Sequence, residues 1–404
     1  MNVIVNPGPL AGTVRVPASK SAAHRLLICA ALADGPTRIA IRATNRDIEA
    51  TAACLRALGA GIERQGDFID VSPIAQIPGQ ALLDCGESGS TLRFLLPVAA
   101  ALGTRATFTG KGRLPQRPNA PLVEALRKHG AKIDNDLLPM TVSGPLTDGR
   151  WTLPGDVSSQ YVTGLLFALP LLDGDSAIAL TTPLASAAYV DMTLQALRQF
   201  GITVEPTTTG WRIPGHQRCH TPGDAAVEGD WSAAAFWLAA NAMGASVDVQ
   251  GLDPDSVQGD RAVAGLLGRK AIDATHVPDL VPALAAVAAQ LPRRTVITGA
   301  ARLRLKESDR LQTVAAMLKA LGHGVTVTQD GLIIDGGEPK PCGEPIRTVD
   351  GADDHRIVMA AAVAAAHADK PVRILGAQAV EKSYPDFFRD FTALGGNTHV
   401  EHAG

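Results

Sequence analysis

The chain has few of the residues that mark several common classes of protein. Its five cysteines are Cys29, Cys54, Cys85, Cys219 and Cys342. They are odd in number and scattered, and they form no CxxC pair, so neither a disulfide framework nor a cysteine zinc site is indicated. Aromatic residues make up 4% of the chain, too few for base-stacking platforms. The net charge of -3 gives no basic field for nucleic acid or an anionic membrane.

Long apolar runs and familiar nucleotide or hydrolase motifs are also missing. The stretch AAAFWLAANAMGASV is shorter than a membrane span, and the start MNVIVNPGPL lacks the features of a secretory signal. No GxxxxGK[ST] loop, GxSxG elbow, magnesium-type carboxylate cluster or cysteine nucleophile is found. We therefore expect a cytoplasmic protein without a metal, a cofactor, a nucleic-acid partner or a membrane segment. A length of 404 residues is typical of two or three domains.

What the sequence does contain is a phrase repeated six times, in which a helix is followed by glycine and a short apolar stretch. CLRALGAGI, ALRKHGAKI, ALRQFGITV and MLKALGHGV are clear examples, and GLLGRKAI and FTALGGNTHV are weaker. The glycines are Gly59, Gly130, Gly201, Gly268, Gly322 and Gly395, spaced by 71, 71, 67, 54 and 73 residues. Glycine is typical of a helix C-terminus, and the apolar residues after it begin a strand. Such phrases occur in any α/β protein, but the 71-residue spacing occurs twice in succession. The repeats predict an α/β protein of two domains with three units each.

The segment RLRLKESDRLQTVAAML changes its period partway along. Residues 302–306 alternate basic and apolar side chains, which predicts a strand, whereas the apolar residues from Leu311 onward have helical spacing. Ser308-Asp309 supply cap residues where the period changes. Lys306 and Arg310 therefore flank a helix N-terminus, where the macrodipole already places about half a positive charge.

Basic and hydrogen-bonding residues stand at other predicted helix starts too. The further cations are Lys20, Arg25, Arg93, Arg117, Arg356 and Lys382. The uncharged groups are Ser21, Gly86, Gly89, Ser158, Ser159 and Gln160. A single cation near a helix start is usually solvated, but several at separate units predict a convergent anion site. A phosphate monoester carries about -1.5 to -2 charges at pH 7, so such a site suits one or two phosphorylated small molecules.

Two acids accompany these cations. Asp279 precedes an apolar helix, and Glu307 stands between Lys306 and Arg310. A carboxylate among cations is expected to have a lowered pKa and to stay ionised, ready to act as a base. The residues alone leave two interpretations open, because either acid could serve only as an ion-pair partner.

With these residues in view, the sequence resembles the EPSP synthase family, the 3-phosphoshikimate 1-carboxyvinyltransferases. The motifs that carry the resemblance are PASKSAAHR, GESGSTLR, LPQRP, DVSSQY, VEGDWSAAAF, SVQGDR, VPD, LRLKESDR, DDHR and EKSYPDF. They occur in family order almost from end to end. The resemblance implies a two-domain inside-out α/β barrel, each domain having three βαβαββ repeats around a pseudo-threefold axis. It implies a discontinuous domain of residues 1–17 and 229–404, a second domain of residues 18–228, and an active site in the interdomain cleft.

The resemblance also implies the reaction, in which the 5-hydroxyl of shikimate 3-phosphate attacks phosphoenolpyruvate and phosphate is later lost. This step belongs to the shikimate pathway, which leads to chorismate and the aromatic amino acids. The implied shikimate 3-phosphate ligands are Lys20, Ser21, Arg25, Ser158, Ser159, Gln160, Ser186, Asp279 and Lys306. The implied phosphoenolpyruvate ligands are Lys20, Gly89, Arg117, Gln160, Arg310, Arg356 and Lys382. The implied catalytic residues are Asp279 as base at the 5-hydroxyl and Glu307 as proton carrier at C3, with Lys20 beside them. Tyr189 is expected to line the shikimate pocket.

Two positions depart from the family pattern, and related enzymes remain as alternatives. Glu87 and Arg302 stand where family members often have Asn, so no contact is carried over to either. UDP-N-acetylglucosamine enolpyruvyl transferases usually read Lys-Asn at Lys20-Ser21 and carry a loop cysteine that GKGRLPQRPNA lacks. An RNA 3'-phosphate cyclase needs a nucleotidyl-accepting histidine with no evident counterpart, and a passive anion-binding protein does not need the two acids. The family also implies a monomer and a glyphosate target, and Gly89 leaves room for such an inhibitor.

Overall fold

The computed structural model describes residues 1–341 and 343–401. Within them the α-helices are α1 (Lys20–Ala31), α2 (Arg46–Ala57), α3 (Gly89–Ala101), α4 (Ala120–Lys128), α5 (Ser159–Ala168), α6 (Ala187–Gln199), α7 (Trp231–Ala242), α8 (Val263–Leu266), α9 (Val281–Gln290), α10 (Arg310–Ala320), α11 (His355–Ala365) and α12 (Phe387–Ala393). The strands are β1 (Asn2–Asn6), β2 (Ala11–Arg15), β3 (Thr37–Ala40), β4 (Gly61–Gln65), β5 (Phe68–Ser72), β6 (Gln80–Asp84), β7 (Arg105–Thr109), β8 (Lys132–Ile133), β9 (Met140–Ser143), β10 (Gly149–Leu153), β11 (Ser176–Leu180), β12 (Glu205–Pro206), β13 (Gly210–Ile213), β14 (Asp224–Ala226), β15 (Ser246–Gln250), β16 (Ala271–Asp273), β17 (Arg294–Thr298), β18 (Gly324–Val327), β19 (Leu332–Asp335), β20 (Arg347–Asp350), β21 (Val372–Leu375) and β22 (Asn397–Glu401).

The chain folds into two units. The discontinuous unit is Met1–Pro17 with Gly229–Gly404, and the continuous unit is Ala18–Glu228. Each unit has its own hydrophobic core. No helix in the described part of the chain is both long and apolar enough to cross a membrane.

The continuous unit repeats one sheet three times. Its strand orders are β6-β7-β9-β8, β10-β11-β13-β12 and β14-β3-β5-β4. In each sheet the first two strands are parallel and the others pair antiparallel. A parallel pair needs a crossover, which α3 and α5 supply in the first two sheets, and α1 stands in the same place before β3. In the third sheet β14 comes from the far end of the unit, because the chain enters this repeat at α1.

The discontinuous unit has two complete repeats and one reduced repeat. The complete sheets are β16-β17-β19-β18 and β20-β21-β1-β22, and the N-terminal strand β1 completes the second. Within residues 1–341 the third repeat has only the parallel pair β15-β2, because β16 of the next repeat begins at Ala271, directly after α8 and Gly268. The missing hairpin explains why the spacing from Gly268 to Gly322 is the short one, at 54 residues.

The helix ends predicted from the repeated phrase are confirmed. All six glycines have positive φ, with values of 106°, 96°, 76°, 75°, 97° and 93° in chain order. An L-residue rarely adopts this conformation, so glycine is required at these helix ends.

The prediction of a strand over residues 302–306 is wrong, whereas the helix after it is confirmed. Ala301–Leu305 form a 3-10 helix in which Leu303 is buried and Leu305 is 50% exposed. The two leucines therefore do not share one face, as a strand would require. Gly299, with φ of 69°, ends the preceding strand and turns the chain. The Asp309 side chain then accepts from Gln312 N and caps α10.

Candidate active site

In the discontinuous unit, a buried arginine at the start of α10 is enclosed by three carboxylates. The side chain of Arg310 is 1% exposed. Its Nε donates to Asp354 Oδ2 at 2.9 Å, its Nη1 to Asp279 Oδ1 at 2.8 Å and its Nη2 to Glu307 Oε2 at 2.6 Å. Burial alone would lower the pKa of Arg310, but the three carboxylates raise it above its ordinary value. The positive charge at this helix N-terminus is therefore balanced by acids of the same unit.

Asp279 is the acid that the cations share. Its carboxylate lies 3.3 Å from Lys306 Nζ and 3.3 Å from Arg356 Nη2, in addition to its contact with Arg310. Arg356 Nη1 also donates to the backbone oxygen of Asp279 at 3.2 Å. The residue stands in the short 3-10 helix Pro278–Leu280 that leads into α9. The predicted residues Asp279, Lys306, Glu307, Arg310 and Arg356 are thus contiguous in this unit.

Asp354 holds this cluster at the start of α11. It is fully buried, it caps the helix by accepting from Arg356 N at 3.0 Å, and it also accepts from Ser308 Oγ at 2.9 Å. Burial would raise the pKa of Asp354, yet the facing Arg310 lowers it. One carboxylate therefore fixes the starts of both α10 and α11.

In the continuous unit, one group of predicted residues lies where α1 approaches α6. Arg25 donates from Nη1 to Ser21 O at 2.5 Å and from Nη2 to Tyr189 O at 2.6 Å. Ser186 occupies the N-cap position of α6 with a left-handed backbone, at φ of 56°. Lys20 lies on the same helix as Arg25.

Two cations of α1 differ in how their charge is balanced. Lys20 Nζ pairs with Asp47 Oδ2 at 2.9 Å. Arg25 is 2% exposed, and its hydrogen-bond partners in the described part of the chain are neutral oxygens, including Thr193 Oγ1 at 2.9 Å. Burial lowers the pKa of the Arg25 guanidinium to about 10, still charged at neutral pH. An anion bound nearby would be attracted to this buried charge.

A second group in the continuous unit lies where the starts of α3 and α5 meet the loop before α4. Gln160 Oε1 accepts from Arg93 Nη1 at 2.7 Å, and Gln160 Nε2 donates to Ser90 Oγ at 3.0 Å. A Cβ added at Gly89 would lie 2.8 Å from Arg117 Nη1, so backbone and guanidinium are in close approach. Ser158 caps α5 and Ser159 is its first residue.

A buried hydrogen-bond chain positions the start of α3 against α1. His24 Nδ1 lies 2.7 Å from Thr51 Oγ1, which lies 2.6 Å from Thr91 Oγ1, and Thr91 donates to Ser88 Oγ at 2.8 Å. Ser88 caps α3 immediately before Gly89. Burial, followed by the cations of α1, lowers the pKa of His24 well below its ordinary value, so the ring is neutral at pH 7.

Sequence reasoning missed the acids and the amide that hold these cations. Asp47 and Asp353 pair with Lys20 and Lys382, and Asn119 Oδ1 accepts from Arg93 Nε at 3.0 Å. These residues are far from their partners in sequence, so no local spacing identifies them.

Two further observations concern metal and thiol chemistry. Among the described residues there is no group of three or more His, Cys, Asp or Glu side chains able to hold a metal ion. Cys29, Cys54, Cys85 and Cys219 are buried free thiols, and Cys342 lies outside the described residues.

Comparisons with known proteins agree along nearly the whole chain. A family model described as EPSP synthase (3-phosphoshikimate 1-carboxyvinyltransferase) matches residues 4–270 and 264–391. The 3-phosphoshikimate 1-carboxyvinyltransferase of Clostridium kluyveri is 41% identical over 98% of this chain and 97% of its own length. That of Clostridium acetobutylicum is 39% identical over 99% of both chains.

Solved structures show the same fold. The EPSP synthase from Acinetobacter baumannii has a TM-score of 0.81 and 26% identity, covering 99% of this chain and 100% of that one. The enolpyruvyl transferase NikO from Streptomyces tendae has a TM-score of 0.79 and 18% identity over 98% of both, a similarity of fold alone.

Proposed function

The chain belongs to the EPSP synthase family, and on that premise we propose that it transfers the enolpyruvyl group of phosphoenolpyruvate to the 5-hydroxyl of shikimate 3-phosphate. The observation that carries the proposal is the arrangement around Arg310, where two candidate acid-base groups, Asp279 and Glu307, are held in place beside Lys306 and Arg356. A purely passive anion site gains nothing from carboxylates among its cations, because they repel the ligand. An addition-elimination reaction needs them, because protons must move at two atoms.

Shikimate 3-phosphate is proposed to bind a set of charged, hydroxyl and amide side chains. The proposed ligands are Lys20, Ser21, Arg25, Ser158, Ser159, Gln160, Ser186, Asp279 and Lys306, with Tyr189 beside the ring. Support comes from Arg25, a buried cation whose hydrogen-bond partners among the described residues are neutral. A phosphate or carboxylate near it would supply a counter-charge.

Phosphoenolpyruvate is proposed to bind Lys20, Gly89, Arg117, Gln160, Arg310, Arg356 and Lys382. The start of α3 offers backbone N–H groups and the positive end of a helix dipole, with the Arg117 guanidinium against Gly89. Arg310 is also proposed to hold Asp279 and Glu307 in place, because it donates hydrogen bonds to both carboxylates.

The two acids are proposed to move different protons. Asp279 takes the proton of the 5-hydroxyl as the hydroxyl oxygen bonds to C2 of phosphoenolpyruvate. Glu307 gives a proton to C3. In the second half, the C2–O bond to phosphate breaks, phosphate leaves with the electron pair, and C3 returns a proton to Glu307 as the double bond re-forms. Asp279 then releases the proton of the former hydroxyl to solvent. Lys20 would stabilise negative charge on the phosphate that leaves. We further propose a cytoplasmic monomer that needs no metal or cofactor.

An assay of phosphate release with different substrates tests this function. Purified protein given shikimate 3-phosphate and phosphoenolpyruvate is expected to release inorganic phosphate, and each substrate alone is expected to release none. Replacing shikimate 3-phosphate by UDP-N-acetylglucosamine is expected to abolish the release. Release with the sugar nucleotide instead would assign the chain to the alternative enolpyruvyl transferase.

We expect Gly89→Ala to weaken phosphoenolpyruvate binding. The new Cβ would lie 2.8 Å from Arg117 Nη1, so the guanidinium, which belongs to a largely buried residue, has to move. Disturbing one charge-assisted hydrogen bond costs roughly 1.5 kcal/mol, which corresponds to about tenfold in KM for phosphoenolpyruvate. Initial rates measure this, and KM for shikimate 3-phosphate should change much less. Gly79→Ala, where an added Cβ meets nothing within 4 Å, is the control. If KM rises equally for both substrates, Arg117 does not belong to the phosphoenolpyruvate subsite.

A further inference from the structure

Lys382 is a buried lysine whose charge is already matched by an acid of the same unit. Its side chain is 5% exposed and ends the 3-10 helix Ala377–Lys382. Its Nζ donates to the backbone oxygen of Asp353 at 2.6 Å and lies 2.8 Å from Asp353 Oδ2. The Asp353 side chain is itself 61% exposed, so its carboxylate is free to turn into solvent.

The backbone that presents Asp353 has an unusual conformation. Ala352 and Asp353 have φ of 50° and 52°, a left-handed region that L-residues disfavour. Two hydrogen bonds hold this turn, from Ala352 N to Asp350 Oδ1 at 2.8 Å and from Asp354 N to Gly351 O at 2.8 Å. The turn therefore directs the carbonyl and the carboxylate of Asp353 at Lys382, just before the helix that carries Arg356.

Resting on the proposed function, we propose that Asp353 is an internal anion that occupies Lys382 and competes with phosphoenolpyruvate for it, so that this residue sets the affinity of the subsite. A substrate anion that approaches Lys382 either displaces the Asp353 carboxylate or lies beside it. The first case breaks an ion pair, and the second places two negative charges together. Both costs disappear when the carboxylate is neutral.

The alternative is that Asp353 only fixes the turn, and Asp353→Asn separates the two roles. Asparagine has the same shape, tolerates the left-handed conformation and keeps the backbone contact with Lys382. Only the charge is lost. Asp353→Gly is a second variant, since glycine also accepts positive φ and removes the carboxylate entirely.

The test is a kinetic comparison of the parent and both variants. We expect KM for phosphoenolpyruvate to fall about two- to fivefold, an effect of the size typical of exposed ion pairs. Inhibition by inorganic phosphate is expected to strengthen by a similar factor. KM for shikimate 3-phosphate should stay constant, and the difference should shrink as salt is added.

The matched control is Asp386→Asn. This acid lies four residues after Lys382, pairs with Arg389 at 2.9 Å and has a side chain that is 43% exposed. It changes the net charge equally and removes the ion pair with Arg389 instead, so we expect no shift. An equal fall in the control, or an unchanged or raised KM in both Asp353 variants, overturns the role of Asp353.

Failure of the proposed function would be visible separately. If the parent does not turn over the two substrates, calorimetric titration with inorganic phosphate alone still decides the inference. Asp353→Asn must then bind phosphate more tightly than the parent and the Asp386→Asn control. If all three proteins bind phosphate with equal affinity, Asp353 does not compete for Lys382.

Discussion

Glu307→Gln is expected to lose roughly 10²- to 10⁴-fold in turnover while keeping near-normal ligand affinity, because a positioned acid-base group contributes about that much. The carboxylate accepts from Arg310 Nη2 at 2.6 Å, an ion pair that stabilises its ionised form. It can give a proton to C3 only when something offsets that stabilisation. Substrates with several negative charges would do so, most strongly once water is excluded. Glutamine keeps the shape and can still contact Arg310 but cannot carry the proton.

Two measurements check this result. Steady-state kinetics gives the loss of turnover, and exchange of solvent deuterium into the methylene of phosphoenolpyruvate reports the C3 proton directly. The control is Glu344→Gln, at an exposed residue of the same unit. It changes the charge equally and should leave turnover and exchange unchanged. If Glu307→Gln turns over within a few-fold of the parent with exchange intact, Glu307 is only an ion-pair partner. The C3 proton then passes through Lys20 or another group.

Asp279→Asn is expected to lose a comparable factor in turnover, about 10²- to 10⁴-fold, for a different reason. The carboxylate is the only proposed group that takes the proton of the 5-hydroxyl. Its neighbours Lys306, Arg310 and Arg356 lie 2.8 to 3.3 Å away. Asparagine removes the negative charge that lies among these three cations, so their attraction for a substrate anion is not weakened. Anion binding should therefore be retained, so kcat falls and KM for phosphoenolpyruvate does not rise.

The control for Asp279→Asn is Asp335→Asn. Asp335 forms an exposed ion pair with Arg294 in the same unit, and its loss should leave kcat unchanged. Thermal unfolding of both variants separates a loss of fold from a loss of chemistry. If Asp279→Asn retains kcat, another group must take the proton of the 5-hydroxyl.

The repeats and helix starts were predictable because local rules govern them. The six glycines at helix ends and the helix starts at Ser158 and Asp309 follow from backbone conformation and capping chemistry within a few residues. The reduced repeat was not predicted, although the missing hairpin is the reason for the short spacing between Gly268 and Gly322.

The charge arrangement around Arg310 was not predictable in the same way. Asp354 is 44 residues away in sequence and Asp279 is 31 residues away, so only the fold brings them together. The strand expected over residues 302–306 failed for a related reason. Alternation of charge and leucine carries strand information only when both leucines share an environment, and here Leu303 is buried while Leu305 faces solvent.

The most direct test of enolpyruvyl transfer is to incubate the protein in deuterium oxide with equimolar shikimate 3-phosphate and phosphoenolpyruvate and to follow the mixture by nuclear magnetic resonance. We expect one new enol ether at the 5-oxygen, inorganic phosphate in equal amount, and deuterium in the methylene group of the product. Phosphate without the enol ether, or an enol ether with no deuterium in its methylene, would contradict addition and elimination through a protonated C3.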